Sequence, residues 1–420
     1  MNRRTRQRRP SGPDLTGSRW TVRTGNVGHG GFVVARHEGV VVFVRHALPG
    51  ELVVAQVTEG NEGDRFLRAD AVEVLEASPD RVQQPCPWAR PGLCGGCDWQ
   101  HATLPAQRSL KAAVVTEQLS RLAGLDLDVT VEALPSPDGS TGDHDGLGWR
   151  TRVQWAVDGA GTVGLRRHRS HVVVPVDRCR IADPDIAVAP EVAGLEDTRV
   201  TGVETLVSSA SETLTLLGTA DGRTFADGPT VLHEEAAGRT FEVTGSGFWQ
   251  VHPAAADTLV DAVLAGLDPQ PGERCADLFS GVGLFSAALA ERVGRTGHVV
   301  AVEGDRGAVD DAARNLADLP QVAVVADRVD RALAGGAVGA RDLVVLDPPR
   351  TGAKREVVEA VAALGPRAVA YVACDPAALA RDLAFFAEQG YALESLRAFD
   401  LFPMTHHVEC VAVLSRHRVS

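Results

Sequence analysis

No stretch of this chain approaches the roughly 18 to 20 consecutive apolar residues that cross a bilayer. The opening Met-Asn-Arg-Arg-Thr-Arg-Gln-Arg-Arg has no apolar core of the kind a secretory signal needs. Membrane and secreted classes are therefore set aside, and a cytoplasmic monomer is expected. Positive charge is also in deficit. A formal net charge of -13 argues against a protein that coats nucleic acid indiscriminately, because phosphate binding rewards net positive charge, but it leaves room for a local basic groove. There is no disulfide framework either: seven cysteines, odd in number and unevenly spaced, point toward metal or catalytic use.

What is present divides by texture. A chain of 420 residues exceeds one hydrophobic core, so several domains are expected. Residues 1–16, rich in Arg, Pro, Ser and Gly, read as a disordered basic arm, either a solvated tail or an arm that follows an RNA backbone. Residues 17–78 alternate short β-branched runs with Gly, Asn and His turns, as a five-stranded barrel would, and order is expected from about Trp20. Residues 79–245 form a central domain. It opens with a cysteine-bearing loop and then a helix over 105–122 whose Leu110, Val114, Glu117 and Arg121 step at helical spacing. A Gly- and Asp-rich loop at 138–148 and strands at 151–157 and 171–176 follow. Residues 246–420 alternate buried-type strands (275–278, 298–302, 322–326, 342–346, 368–373) with helices (284–293, 307–316, 355–364, 376–389). They end in a hairpin over 391–399 and 408–416, the pattern of a doubly wound, Rossmann-like α/β sheet.

The first strand-to-helix turn of that sheet, Asp277-Leu278-Phe279-Ser280-Gly281-Val282-Gly283-Leu284, has glycines that let the backbone approach a ligand. The next strand ends in Glu303, about twenty residues after Gly283, where a carboxylate can accept both ribose hydroxyls. The loop has no lysine or arginine for a second phosphate, which favours an adenosine cofactor without pyrophosphate. Asp327 ends the third strand, placed either for an adenine amine or as a turn cap.

Asp347-Pro348-Pro349-Arg350 follows the fourth strand as a rigid wall suited to holding a flat base. Cys374 ends the fifth, before a helix that Asp375 caps and Pro376 opens. A thiol at a helix N-terminus is expected to have a depressed pKa and to be nucleophilic. Uracil C5 is too electron-poor to attack a methyl sulfonium unaided; thiolate addition at C6 makes C5 carbanion-like. A base must then take the C5 proton so that the cysteine can leave, and Glu409, opening the last strand, is the candidate; an edge-strand Glu facing solvent is the alternative.

At this point the chain, from about Trp20 onward, resembles the RNA 5-methyluridine methyltransferase family, which includes bacterial 23S ribosomal RNA and tRNA uracil-5-methyltransferases. The residues carrying the likeness are Phe248-Trp249-Gln250-Val251-His252, the loop at 277–284, Ala373-Cys374-Asp375-Pro376 and Phe402 to Glu409. His252 stands where the family has Asn, and Asp375 where most members have Asn. The resemblance implies a class I methyltransferase domain with a seven-stranded sheet and a TRAM-type RNA-binding barrel of the OB kind. It implies S-adenosylmethionine held by Gln250, Phe279, Gly281, Gly283, Leu284, Glu303, Asp327 and Asp347, with Cys374 as nucleophile and Glu409 as base. It also implies a 4Fe-4S cluster on Cys86, Cys94, Cys97 and Cys179, for which a structural zinc is the rival. Ribosomal RNA is the expected substrate over tRNA; the basic stretches 149–152 and 165–169 either hold its backbone or are solvated surface. The competing readings are small-molecule methylation on the same fold, DNA cytosine methylation, and a non-catalytic RNA-binding assembly factor.

Overall fold

The computed structural model describes residues 12–135, 145–192 and 199–416. The N-terminal strands β1 (Arg19–Val27), β2 (Val33–His37), β3 (Val40–Arg45), β4 (Leu52–Glu59) and β5 (Phe66–Glu76) close into a barrel in the order β1-β2-β3-β5-β4. Alternation does the closing. Val33, Ala35, Val42, Val44, Val53, Ala55 and Ala69 point inward and are buried, small enough to fill a narrow interior. Order begins earlier than Trp20: Asp14 bridges to Asn61 and Leu15 N–H donates to the Gly60 carbonyl. Residues 12–16 of the expected arm are thus laid on the barrel; the rest of the arm, and most of the 138–148 loop, lie outside the described residues.

Helix α1 (Leu104–Gln118) starts where Thr103 Oγ1 accepts from Ala106 N–H and Pro105 occupies the first turn. It runs into one π-helical turn, Leu119–Ala123, ended by Gly124 at φ 66°. Its inward face is more polar than the spacing alone suggests: Gln107, Lys111, Val114, Val115 and Gln118 are buried, Leu110 packs partly buried beside Val114, and Arg121 is exposed. Polar side chains sit inside because they are paired there. Lys111 Nζ lies 2.5 Å from Asp400 Oδ1, and Gln107 Nε2 donates to the carbonyls of Trp99 and Ala102. Strand β6 (Val131–Ala133) follows.

The central sheet contains β7 (Arg152–Val157), β8 (Val163–Arg166), β9 (Val173–Val174), β10 (Val200–Val207), β11 (Thr213–Thr219) and β12 (Thr224–Asp227), in the order β12-β11-β10-β7-β8-β9. The strand expected over 171–176 shrinks to two residues, since Pro175 has no N–H to continue the ladder. A hairpin, β13 (Val231–Ala236) and β14 (Arg239–Thr244), then reaches across to the C-terminal domain. Phe241 enters that domain's core, and Asn315 bonds both backbone groups of Glu242.

The C-terminal sheet is built from α2 (Ala255–Leu267), β15 (Arg274–Leu278), α3 (Leu284–Val293), β16 (His298–Glu303), α4 (Arg306–Asn315), β17 (Val322–Ala326) and α5 (Val329–Ala334). It continues through β18 (Leu343–Leu346), α6 (Lys354–Ala363), β19 (Ala368–Ala373), α7 (Pro376–Glu388), β20 (Tyr391–Asp400) and β21 (Glu409–Arg416). The strand order is β17-β16-β15-β18-β19-β21-β20-β6, so the sheet has eight strands and not the expected seven. The eighth is β6, three residues long and far upstream, pairing parallel with β20. Strands β18 and β19 are buried along their whole length because helices cover both faces, which is why they read as continuous apolar runs. Chain order reverses between β15 and β18. Strand ends beside such a switch point leave a crevice for ligands.

Candidate active site

Next to that crevice lies a cleft of ≈ 630 Å³. Its walls come from Arg350 after β18, from Cys374, Asp375 and Pro376 between β19 and α7, from His406 and His407 before β21, and from His29 to Gly31 of the barrel. The β19–α7 junction is set locally: Asp375 is extended (φ -130°, ψ 109°) and its Oδ1 caps α7 by accepting from Ala378 N–H at 2.8 Å. The antiparallel register of β19 and β21 pairs Ala373 with Cys410, which brings Cys374, just past β19, near Glu409 at the start of β21.

The electrostatics reverse one expectation. Burial pushes the Cys374 thiol up to about 12, helped by the nearby charges of Glu409 and Asp347 and opposed by Arg350. Two carboxylates and desolvation outweigh the helix N-terminus, so the thiol is not depressed. Glu409, 5% exposed, is held well above the carboxylate range by burial and by Asp347, again opposed by Arg350. The resting cleft therefore keeps a protonated thiol beside a protonated carboxyl.

In the loop after β15, Phe279, Gly281 and Gly283 have φ of 65°, 53° and 94°. At Gly283 a Cβ would also come within 2.8 Å of Leu316 Cδ1, so a side chain there would displace Leu316 as well as strain the backbone. Glu303 Oε2 accepts from Gly281 N–H at 2.9 Å, tying the expected ribose acceptor to the loop, and Leu284 opens α3 just beyond. Asp277, at the end of β15, takes a hydrogen bond from Ser286 Oγ at 2.6 Å, but its Oδ1 and the hydroxyl of Ser280 find no partner among the described residues. Burial pushes Asp277 up to about 7, with Glu303 adding to it, and pushes Asp347 up to about 7, with Asp277 adding. A buried acid with one oxygen unpartnered, next to a second raised carboxyl, fits a cationic ligand carrying an ammonium and a sulfonium. Phe279, Gly281, Gly283, Leu284, Glu303 and Asp347 thus gather at one edge. Gln250 lines a separate hollow of ≈ 300 Å³ with Arg152 and Glu234. Asp327 ends β17, where its Oδ1 accepts from Arg328 N–H at 2.8 Å, the turn-capping geometry.

Cys86, Cys94, Cys97 and Cys179, all buried, line one small pocket. Burial raises Cys94 to about 11 and also raises Cys97 and Cys179. Donors that favour a thiolate are nonetheless in place: Gly96 N–H on Cys94 Sγ at 3.4 Å, Gln100 Nε2 on Cys97 Sγ at 3.1 Å, and the Arg150 charge near Cys179. Among the described residues no three His, Cys, Asp or Glu side chains are placed to hold a single metal ion. The donor set suits a thiolate-bound inorganic group.

The stretch 149–152 is not a free basic surface. Trp149 is buried, and Arg152 donates to the Gly245 carbonyl and pairs with Glu204. Arg166, Arg167 and Arg169 are exposed. The barrel's outer side carries a row of rings, Phe32 against Phe43 at 4.4 Å and Phe43 against Phe66 at 5.2 Å, with the Arg68 guanidinium over Phe66. Three site residues escaped the sequence reading. Arg350 and Asp277 lay inside motifs already singled out, whereas nothing near His29 in sequence signals its role.

A family model described as tRNA (Uracil-5-)-methyltransferase matches residues 339–417. The chain is 48% identical over 431 residues to an uncharacterized RNA methyltransferase of Streptomyces avermitilis, covering 95% of this chain and 98% of that one. It is 30% identical over 435 residues to the 23S rRNA (uracil(1939)-C(5))-methyltransferase of Vibrio parahaemolyticus, covering 94% and 95%. A solved structure, the Pyrococcus abyssi tRNA (uracil-54, C5)-methyltransferase in complex with S-adenosyl-L-homocysteine, shares the fold with a TM-score of 0.67 at 22% identity, over 94% of this chain and 100% of that one.

Proposed function

The chain belongs to the RNA (uracil-5-)-methyltransferase family, and from that premise we propose that it methylates C5 of a uridine in structured RNA, with S-adenosylmethionine as methyl donor. What supports the chemistry is the nearness of Glu409, at the start of β21, to Cys374, just past the end of β19 in the cleft wall. Cys374, once deprotonated, adds to C6 and sends the double-bond electrons to O4. C5 then bonds to the methyl carbon as its bond to sulfur breaks, and the donor leaves as a neutral thioether. Glu409, which must first lose its own proton, removes hydrogen from C5, and the returning electrons expel Cys374 as thiolate. Asp277, Asp347, Glu303 and the glycines of the β15–α3 loop hold the donor.

A Cys374→Ala variant should lose methyl transfer altogether. A Glu409→Gln variant should slow turnover about 10³-fold or more and accumulate a methylated protein–RNA adduct that survives denaturing electrophoresis. Full activity of Cys374→Ala would sink the covalent route and leave the fold with a non-catalytic duty.

For the substrate we favour 23S ribosomal RNA over tRNA. The Vibrio relative is named for that RNA, and the chain joins a barrel to a four-cysteine cavity. The ring row on the barrel supports single-stranded RNA beside the extruded base, since stacking on aromatic side chains tolerates any sequence. Mapping 5-methyluridine in ribosomal RNA and tRNA from cells with and without the gene separates the two. At the cysteine cavity we propose a 4Fe-4S cluster that ties the 86–97 loop to Cys179. Support comes from four buried cysteines lining one pocket, with hydrogen-bond donors already on the sulfurs of Cys94 and Cys97. Protein purified without oxygen should be brown and contain iron and sulfide; a zinc-only preparation would replace the cluster with the rival.

A further inference from the structure

The barrel reaches the cleft through its β1–β2 turn. That turn is tight, with Gly28 N–H on the Phe32 carbonyl at 2.8 Å and Gly31 N–H on the Gly28 carbonyl at 3.2 Å. At its tip His29 Nε2 lies 3.1 Å from Asp375 Oδ2, on the residue directly after the nucleophile. The other oxygen of Asp375 stays on the cap of α7, so one carboxylate serves helix and barrel at once. Gly31 approaches the opposite wall so closely that a Cβ there would sit 2.6 Å from His406 Cβ, and its carbonyl accepts from Trp99 Nε1 at 3.0 Å. The cleft facing Cys374 is thus incomplete without a turn supplied by another part of the chain.

We propose that His29 is a positioning residue: by bridging to Asp375 it seats the 28–32 turn as the wall that closes the cleft over Cys374. Asp375 can face His29 with an acceptor because both of its carboxylate oxygens accept. With its oxygen committed to the cap, an asparagine would turn an NH₂ toward His29, and an imidazolium could not bond to it. Histidine and aspartate at these two positions form a matched pair. The groups around His29 are Asp375 on α7 and Glu117 on α1, with Arg350, Cys374, His406 and His407 across the cleft. The bond to Asp375 raises the imidazole pKa against the opposing effect of burial, and Glu117 adds to the rise. A raised histidine contributes its stabilisation below its unfolded pKa and loses it as pH rises through the folded value. The wall should therefore loosen in mildly alkaline solution.

The importance of the wall for RNA rests on the methyltransferase reading; its existence does not, so the test is run on the full chain without RNA. Hydrogen exchange of residues 28–32 and iodoacetamide labelling of Cys374, with Cys374→Ala as blank, are followed from about pH 6 to 9. At the acidic end His29→Ala should speed exchange in the turn about tenfold and label Cys374 faster, and both differences should shrink toward the alkaline end. His29→Gln, which can donate without titrating, should keep the turn protected at every pH. Asp375→Asn should abolish the decline with pH. Exchange within about twofold of wild type in His29→Ala, or a pH step that persists in Asp375→Asn, would overturn the proposal. If His29→Ala loosens the whole barrel, His29→Gln decides alone: a turn whose protection still falls with pH in that variant refutes the bridge. On RNA, the loss in His29→Ala is expected in KM more than in kcat, and failure there alone would count against the RNA reading and not against the wall.

Discussion

Arg350 is exposed at the cleft, and its charge lowers both Cys374 and Glu409 while burial and Asp347 raise them. Neither group is ready for its step at rest, so this guanidinium sets how alkaline the medium must be before the thiolate forms. Replacing it by glutamine should move the acid limb of the pH–rate profile upward by about one unit and slow turnover about tenfold near neutrality. Folding stability should change by no more than ~0.5 kcal/mol, as for other exposed positions. An unmoved limb would mean that RNA phosphates, and not Arg350, supply the positive charge.

At the scale of elements, α1 shows how a helix can be held by what it buries against its own hydropathy. Burial lowers the pKa of Lys111, Asp400 opposes that, and Lys111 Nζ also donates to the Phe402 carbonyl at 3.0 Å. This fixes α1 to the end of β20 and to the segment leading to Glu409. Lys111→Ala, leaving Asp400 buried without a partner, should cost about 3–5 kcal/mol in denaturant unfolding, whereas Lys111→Met with Asp400→Leu should cost less than the single change. If the double variant is as unstable as the single one, the pair's role is shape and not charge compensation. The same helix marks the limit of what could be read from residues alone. The strands at 275–278 and 368–373 were legible because full burial leaves no polar interruption, and the barrel because its interior alternates with period two. The inward face of α1 was not, since Gln107 and Lys111 look like surface residues until their partners, some 290 positions away for Asp400, are known. For the same reason Cys374 and Glu409 could be named from local motif, but the raised thiol could not. Its cause is charge from Asp347 and Glu409, brought together only by the sheet.

Across the whole molecule, pH acts in opposite directions at the two ends. At the junction of the barrel with the cysteine loop, burial lowers His46 to about 3 and His101 to about 4. These histidines are neutral in the folded chain but protonate near 6.5 when unfolded. The junction therefore loses stability as pH falls from about 6.5 toward 4, by up to about 1.4 kcal/mol per pH unit for each histidine. At the ligand edge of the C-terminal sheet Asp277 and Asp347, raised to about 7, bind protons that the unfolded chain has already released, so that edge loses stability as pH rises toward 7. A global melting temperature should then vary little over this range while local exchange diverges. Lowering pH from about 7 to 5 should speed exchange in β3, β4 and the 97–102 segment and slow it at the ends of β15 and β18. His46→Asn, a residue that tolerates the φ of 61° found at His46, should weaken only the first response, leaving the share of His101. Adding S-adenosylmethionine should flatten only the second, because a cationic ligand supplies the compensation the two buried carboxylates lack. If exchange at β15 and β18 keeps its pH dependence with the cofactor at saturation, Asp277 and Asp347 are not the groups that hold it.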